Sequence, residues 1–232
     1  MNTDKPRYVV ELHGNDHDAA AECMLRESFR ICEEKGLPRI TLLIPAKKYF
    51  STTPVAAMID QLIGRGTAKD ICGGSVRVNG IELHAAYSDT FDEYEEYQML
   101  VGIYLQSKSL DKLDTPSRVA AIVYLPWTEA EGKGWLSTWR ATVLGQHSWQ
   151  PEPLRLEEQV VAALQALTEE INLSTGLCQD MDKKLAVRMF ANLRRHGFYP
   201  DPEEVRRWAL PHGWRPADAR DLAHQADISL RR

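Results

Sequence analysis

Two groups of residues near the start of the chain have types suited to chemistry. The first is Lys47, Lys48, Ser51, Thr52 and Thr53, with Pro54 directly after them. Hydroxyl side chains before a proline mark a helix start, because they cap free N–H groups and proline suits the first helical position. A helix start carries a partial positive charge. With two ammonium groups beside it, it favours a phosphate or a carboxylate. An ordinary cap next to two solvated lysines accounts for the same residues. Neither G-x-x-x-x-G-K-[ST] nor G-x-G-x-x-G occurs in the stretch, so the standard nucleotide fingerprints are absent from it.

The second group is His13, Asp16, His17 and Asp18. Imidazoles and carboxylates pass protons near neutral pH, which makes His13 and Asp16 the acid/base candidates. They also ligate zinc or manganese, which makes His13 and His17 the metal candidates. The spacing H-x-x-x-H without the glutamate of H-E-x-x-H assigns no metal site, and an Asn or Asp cap beside two surface histidines accounts for the group equally. Gln106, Ser107, Lys108 and Trp127 are further polar or aromatic candidates near strand ends. Cys72 sits in a glycine-rich turn, where a thiol is either exposed or idle. No G-x-S-x-G elbow is present. No cofactor is assigned.

These residues need a scaffold that brings strand ends together. Arg39–Gly66 supplies the clearest unit. Ile40–Ile44 is a short continuous apolar run bounded by prolines, as in a strand covered on both faces. A basic loop follows, then a helix with Val55, Met58, Ile59, Leu62 and Ile63 at helical spacing, ended by Gly64 and Gly66. Before it, Tyr8–Leu12 reads as a strand and the segment after Asn15 or Asp16 as a helix stopped at Gly36. Two such units in succession imply a parallel sheet with right-handed crossovers, and ligands of open α/β sheets bind at the carboxyl rim. If the first two strands are neighbours, His13 and Lys47 share that rim.

Cys72–Gly74 reads as a turn. Asn79-Gly80 between Ser75–Val78 and Ile81–Tyr87 predicts a β-hairpin. Ser88–Tyr97 reads as an acidic surface loop or short helix. Met99–Leu105 and Val119–Leu125 read as strands joined by a short helix at Leu110–Leu113. Thr128 caps a helix in which Trp135, Trp139 and Val143 form an aromatic and apolar core stripe.

The pattern changes after residue 146. Residues 147–155, with two prolines, read as a linker. Residues 156–232 read as all-helical, with helices at Leu156–Asn172, Met181–His196, Pro202–Leu210 and Pro216–Ala226. His196-Gly197-Phe198-Tyr199-Pro200 recurs as His212-Gly213-Trp214-Arg215-Pro216, a repeated helix stop and restart. The expected fold is α/β over 1–146, a Rossmann-like, mostly parallel sheet with flanking helices and a hairpin. An all-helical C-terminal domain follows.

The chain has 232 residues and a net charge of −5, which excludes coating nucleic acid by bulk charge but not a local basic patch. From Leu177 onward, eleven Lys and Arg face eight Asp and Glu. Lys183, Lys184, Arg188, Arg194 and Arg195 are therefore the candidates for contact with nucleic-acid phosphates. No apolar run reaches a membrane span, no signal-peptide pattern is evident, and the four cysteines form no C-x-x-C pair. The expected setting is cytoplasmic. The leading expectation is a small anionic ligand at the sheet rim, with the helical part meeting a protein partner or a second copy. The alternatives are a nucleic-acid-binding or regulatory protein and a structural adaptor without a ligand.

Overall fold

The computed structural model describes residues 5–231. Residues 1–4 and Arg232, which the expected domain boundaries include, lie outside the described residues. Arg7–Val10 forms strand β1 and His17–Lys35 helix α1, capped by Asp16 and stopped by Gly36 in the left-handed conformation. Arg39–Ile44 is β2. Lys47–Phe50 is a single helical turn, α2, where a loop was expected. Pro54–Leu62 is α3, with Thr53 as its cap and Pro54 at its first position. Thr67–Gly73 forms α4, so the expected turn at Cys72–Gly74 is the end of a helix.

Ser75–Val78 (β3) and Ile81–Tyr87 (β4) make the expected hairpin. Asn79 and Gly80 have φ of 50° and 84°, the positive pair that a tight two-residue turn requires. Tyr97–Ile103 is β5, Ser107–Asp114 α5, Val119–Leu125 β6, Glu129–Trp139 α6 and Thr142–Leu144 β7. Arg140, at φ 49°, ends α6, so Val143 belongs to β7 and not to the helical stripe of Trp135 and Trp139.

Among the described residues the seven strands form one sheet in the order β3-β4-β2-β5-β6-β1-β7. Every neighbouring pair is parallel except β3 and β4. The α/β architecture with a mostly parallel sheet, flanking helices, a hairpin and a helical C-terminal region is therefore present. β2, β5 and β6 lie at its centre and are nearly continuous apolar runs, since helices cover both faces there.

The first two strands are not neighbours, so the condition that would bring His13 and Lys47 together is not met. β1 lies between β6 and β7, and β5 and β6 separate it from β2. Strand pairing is a long-range choice that no local pattern encodes. The order also changes direction. From β2 the chain moves outward to β4 on one side, and from β5 it moves to β6 on the other. With right-handed crossovers, the helices after β2 and after β5 fall on opposite faces, which opens a crevice between the carboxyl ends of β2 and β5.

The chain separates into two compact units, the first ending at Pro151 and the second beginning at Glu152. Within the segment expected as a linker, Ser148 and Trp149 pack into the first unit. The second contains α7 (Glu158–Glu170), α8 (Asp180–Arg195), α9 (Pro202–Ala209) and α10 (Pro216–Arg231). Its own core includes Phe190, Val205, Trp208, Trp214 and Leu222, and the Trp214 indole donates to Thr168 Oγ1 at 3.0 Å. Gly197 and Gly213, the two glycines of the repeat, have φ of 84° and 92°. They end their helical segments as the sequence predicts.

Candidate functional site

A cavity of about 430 Å³ lies in the crevice between the carboxyl ends of β2 and β5. Ile44, Pro45 and Ala46 at the end of β2 form one wall, with Tyr49 and Phe50 of α2 beside them. Ile103, Tyr104, Gln106 and Ser109 at the end of β5 form another, and Trp127, after β6, completes it. Thr53 and Gln106 are the residues before α3 and α5, so two helix starts meet the cavity. The Thr53 hydroxyl accepts the Ala56 amide at 3.2 Å, whereas no side chain caps α5. The lining carries no charged side chain. It suits a ligand with an apolar or aromatic body and a modest negative charge placed at the helix starts.

The strand order β5-β6-β1 brings three distant rings together. Tyr104 follows β5, Trp127 follows β6, and His17 begins α1 after β1. The His17 and Trp127 rings stack with centroids 4.2 Å apart and planes 18° apart. Tyr104 meets both edge-on, at 5.7 Å from His17 and 5.0 Å from Trp127.

Tyr104 holds φ at 53°, a conformation that a bulky residue rarely adopts. Two hydrogen bonds to β6 keep it there. The Tyr104 amide donates to Leu125 O at 2.9 Å, and the Tyr124 hydroxyl donates to Leu105 O at 2.9 Å. Gly102 lets α5 come close, since a Cβ there would lie 2.7 Å from Leu113. Tyr104 is 8% exposed, and its hydroxyl has no hydrogen-bond partner among the described residues. Burial, and secondarily the charge of Asp18, push the phenol pKa up, so it stays a donor at neutral pH.

The residues singled out from the sequence scatter around this cavity. Of Lys47, Lys48, Ser51, Thr52 and Thr53, Thr53 alone lines it. Lys47 and Lys48 are exposed on α2, their ammonium groups 5.8 Å and 4.6 Å from the ring centres of Tyr87 and Tyr49. Ser51 is exposed, and Thr52 donates its hydroxyl to Tyr49 O. Gln106 and Trp127 line the cavity, Lys108 is exposed, and the Ser107 side chain lies outside the described residues.

Asp16 serves as the cap of α1, accepting the Ala19 amide at 3.0 Å. His13 lies 3.5 Å from the buried Glu11 carboxylate. The Ser148 amide and hydroxyl both donate to that carboxylate and tie the 145–149 segment to β1. Burial raises the Glu11 pKa, but the bonds from Ser148, the His13 charge and the Trp149 amide outweigh it and hold the carboxyl below its ordinary value. No group of three or more His, Cys, Asp or Glu side chains converges as a metal site among the described residues. Tyr104, like Tyr49, Phe50 and Ser109, is a lining residue that sequence reasoning missed. It reads as the last part of an apolar strand, and only its position at a strand end marks it.

On the C-terminal helices Lys183, Lys184 and Arg188 are exposed on α8. Arg194 donates to Ser229 O at 3.2 Å, and Arg195 to Asn192 Oδ1 at 3.4 Å. Arg206 and Arg207 pair with Glu203 and Glu204 one turn away, which neutralises much of α9. No helix among the described residues is long and apolar enough to cross a membrane.

Residues 156–228 match the model of a family described as Domain of unknown function (DUF1889). The match falls within the helical unit. Comparison of the chain with curated proteins and with solved structures finds no match.

Proposed function

We propose that the α/β unit binds a small anionic organic molecule in the cavity between β2 and β5. One observation carries the reading: the cavity lies where the strand order changes direction, the place at which open α/β sheets bind ligands. The starts of α3 and α5 stabilise the negative charge, and the apolar wall takes the body of the molecule. Lys47 and Lys48 stand outside the lining and raise the local concentration of anions by long-range attraction.

A thermal-shift panel of nucleotides, sugar phosphates and small carboxylates tests the reading on the full chain. A ligand at 100 times its Kd stabilises the folded state by about 2.7 kcal/mol. The shift is expected to vanish in Ser109→Trp, which fills the cavity from α5, while circular dichroism remains that of the parent. A shift unchanged by that substitution would place the ligand elsewhere and refute the reading.

A further inference from the structure

From Lys183 to Arg195 the chain holds five cations and no carboxylate. At about 100° per residue, Lys184, Arg188 and Arg195 fall within about 40° of one another on α8. They lie opposite the buried Ala186, Phe190 and Leu193, and all three are exposed. Lys183 flanks this line, and Arg194 lies off it, donating to Ser229 O at 3.2 Å. We propose that this face of α8 binds the backbone of single-stranded nucleic acid, with its cations on phosphates and the Tyr199 ring against a base.

The first support is the lack of neutralisation. Arg26, Arg30, Lys133, Arg206 and Arg207 each pair with a carboxylate three or four residues away on their own helices. Lys184, Arg188 and Arg195 make no ion pair among the described residues. Arg195 donates instead to the Asn192 amide oxygen at 3.4 Å. The carboxylates of α8 stand at its start, where Asp182 is buried and Asp180 exposed. A row of cations without partners, in a chain of net charge −5, is a local site for a polyanion, which gives up its counterions on binding.

The second is Tyr199, four residues after Arg195 and beyond the helix stop at Gly197. It is 63% exposed. Proteins that hold single strands combine cations that follow the backbone with rings on which bases stack.

The third is the surface next to α8. In a helix-turn-helix mode, α10 would enter the groove of a duplex behind α9. The cations of α9 are paired with Glu203 and Glu204, and α10 exposes Asp221. The usable positive charge is thus one narrow line on α8, which matches one strand and not a duplex groove.

The test follows the fluorescence anisotropy of a labelled oligothymidylate mixed with the full chain. At about 0.7 per phosphate contact on a single strand, three contacts give a slope of log K against log salt near −2, so a fourfold rise in salt should weaken binding about twentyfold. Arg188→Gln should reduce the slope by about 0.7. Lys184→Gln/Arg188→Gln/Arg195→Gln should abolish binding, with circular dichroism that of the parent. Tyr199→Ala should weaken binding about tenfold and leave the slope unchanged. Lys69→Gln/Arg77→Gln, which removes two exposed cations from the α/β unit, should leave the affinity as it was.

No binding at low salt, or binding that survives the triple substitution, overturns the inference. A loss in Lys69→Gln/Arg77→Gln as large as in Arg188→Gln overturns a local site on α8. Unchanged affinity in Tyr199→Ala overturns the stacking role. Tighter binding of a duplex of the same length overturns the single-strand class. Tighter binding of phosphatidylglycerol vesicles or of polyglutamate overturns nucleic acid as the partner.

Discussion

Asp114 ends α5 inside the α/β unit, away from the cavity, and shows how tightly single residues are constrained there. Its Oδ2 accepts from the indoles of Trp135 and Trp139, both at 3.1 Å. Arg7 lies 3.5 Å from Oδ1, and the Arg7 guanidinium sits 3.7 Å over the Trp139 ring. Both charged side chains are buried. Burial pushes the Asp114 pKa up, while Arg7 and the two indoles pull it down. Burial outweighs them, so the Asp114 carboxyl is held above its ordinary value, while the Arg7 guanidinium does not give up its proton in a protein and stays charged. The neighbouring Lys5 is pushed down to about 8 by burial, with the Arg7 charge adding to it. Asp114→Ala leaves the Arg7 charge buried without its carboxylate and should cost about 3–5 kcal/mol in a urea melt. A loss below 1 kcal/mol would mean that water reaches Arg7 in the folded state. The indoles of Trp135 and Trp139, read from the sequence as a core stripe, are therefore also hydrogen-bond donors.

Among the elements, α6 separates two effects that local propensity cannot. It holds two glycines, and glycine costs a helix about 1 kcal/mol relative to alanine. A Cβ on Gly132 would lie 2.4 Å from the ring of Trp149, which is buried. A Cβ on Gly134 would meet nothing within 4 Å. Steric overlap exceeds propensity at the first position and is absent at the second. Gly132→Ala should destabilise by about 1–3 kcal/mol, and Gly134→Ala should stabilise by about 0.5–1 kcal/mol. Thermal unfolding of the two variants side by side checks this. Equal effects would show that Trp149 moves aside freely. The capping box of α6, with the Glu131 amide donating to Thr128 Oγ1 and the Thr128 amide to Glu131 Oε2, fixes where the helix begins.

At the scale of the whole molecule, each unit has its own apolar core. Among the described residues, the units that meet between Pro151 and Glu152 are expected to fold as separate domains. Expressed singly, each fragment should melt cooperatively and keep the circular dichroism that its elements imply, mixed α/β for the first and helical for the second. A non-cooperative melt of either fragment would refute the division. Folding of the first fragment also allows ligand binding at the β2–β5 cavity to be measured without the helical unit.

The sequence by itself determined what near neighbours decide. Thr53 and Pro54 start α3, Asp16 caps α1, Asn79-Gly80 closes the hairpin, and Gly197 and Gly213 end helical segments. Each of these is a hydrogen bond or a backbone angle set within about four residues, so it is written locally. The apolar runs of β2 and β6 are legible for the same reason, since burial on both faces demands them at each position. The strand order was decided only in the tertiary structure. It depends on which long-range faces pack together, and one wrong neighbour moves a whole rim. That order put Tyr104, Trp127 and His17 in contact, and it left Lys47 and Lys48 outside the cavity that their helix start adjoins. The unpaired Tyr104 hydroxyl has the same origin. A residue type states that a donor exists, and only packing decides whether an acceptor is within reach.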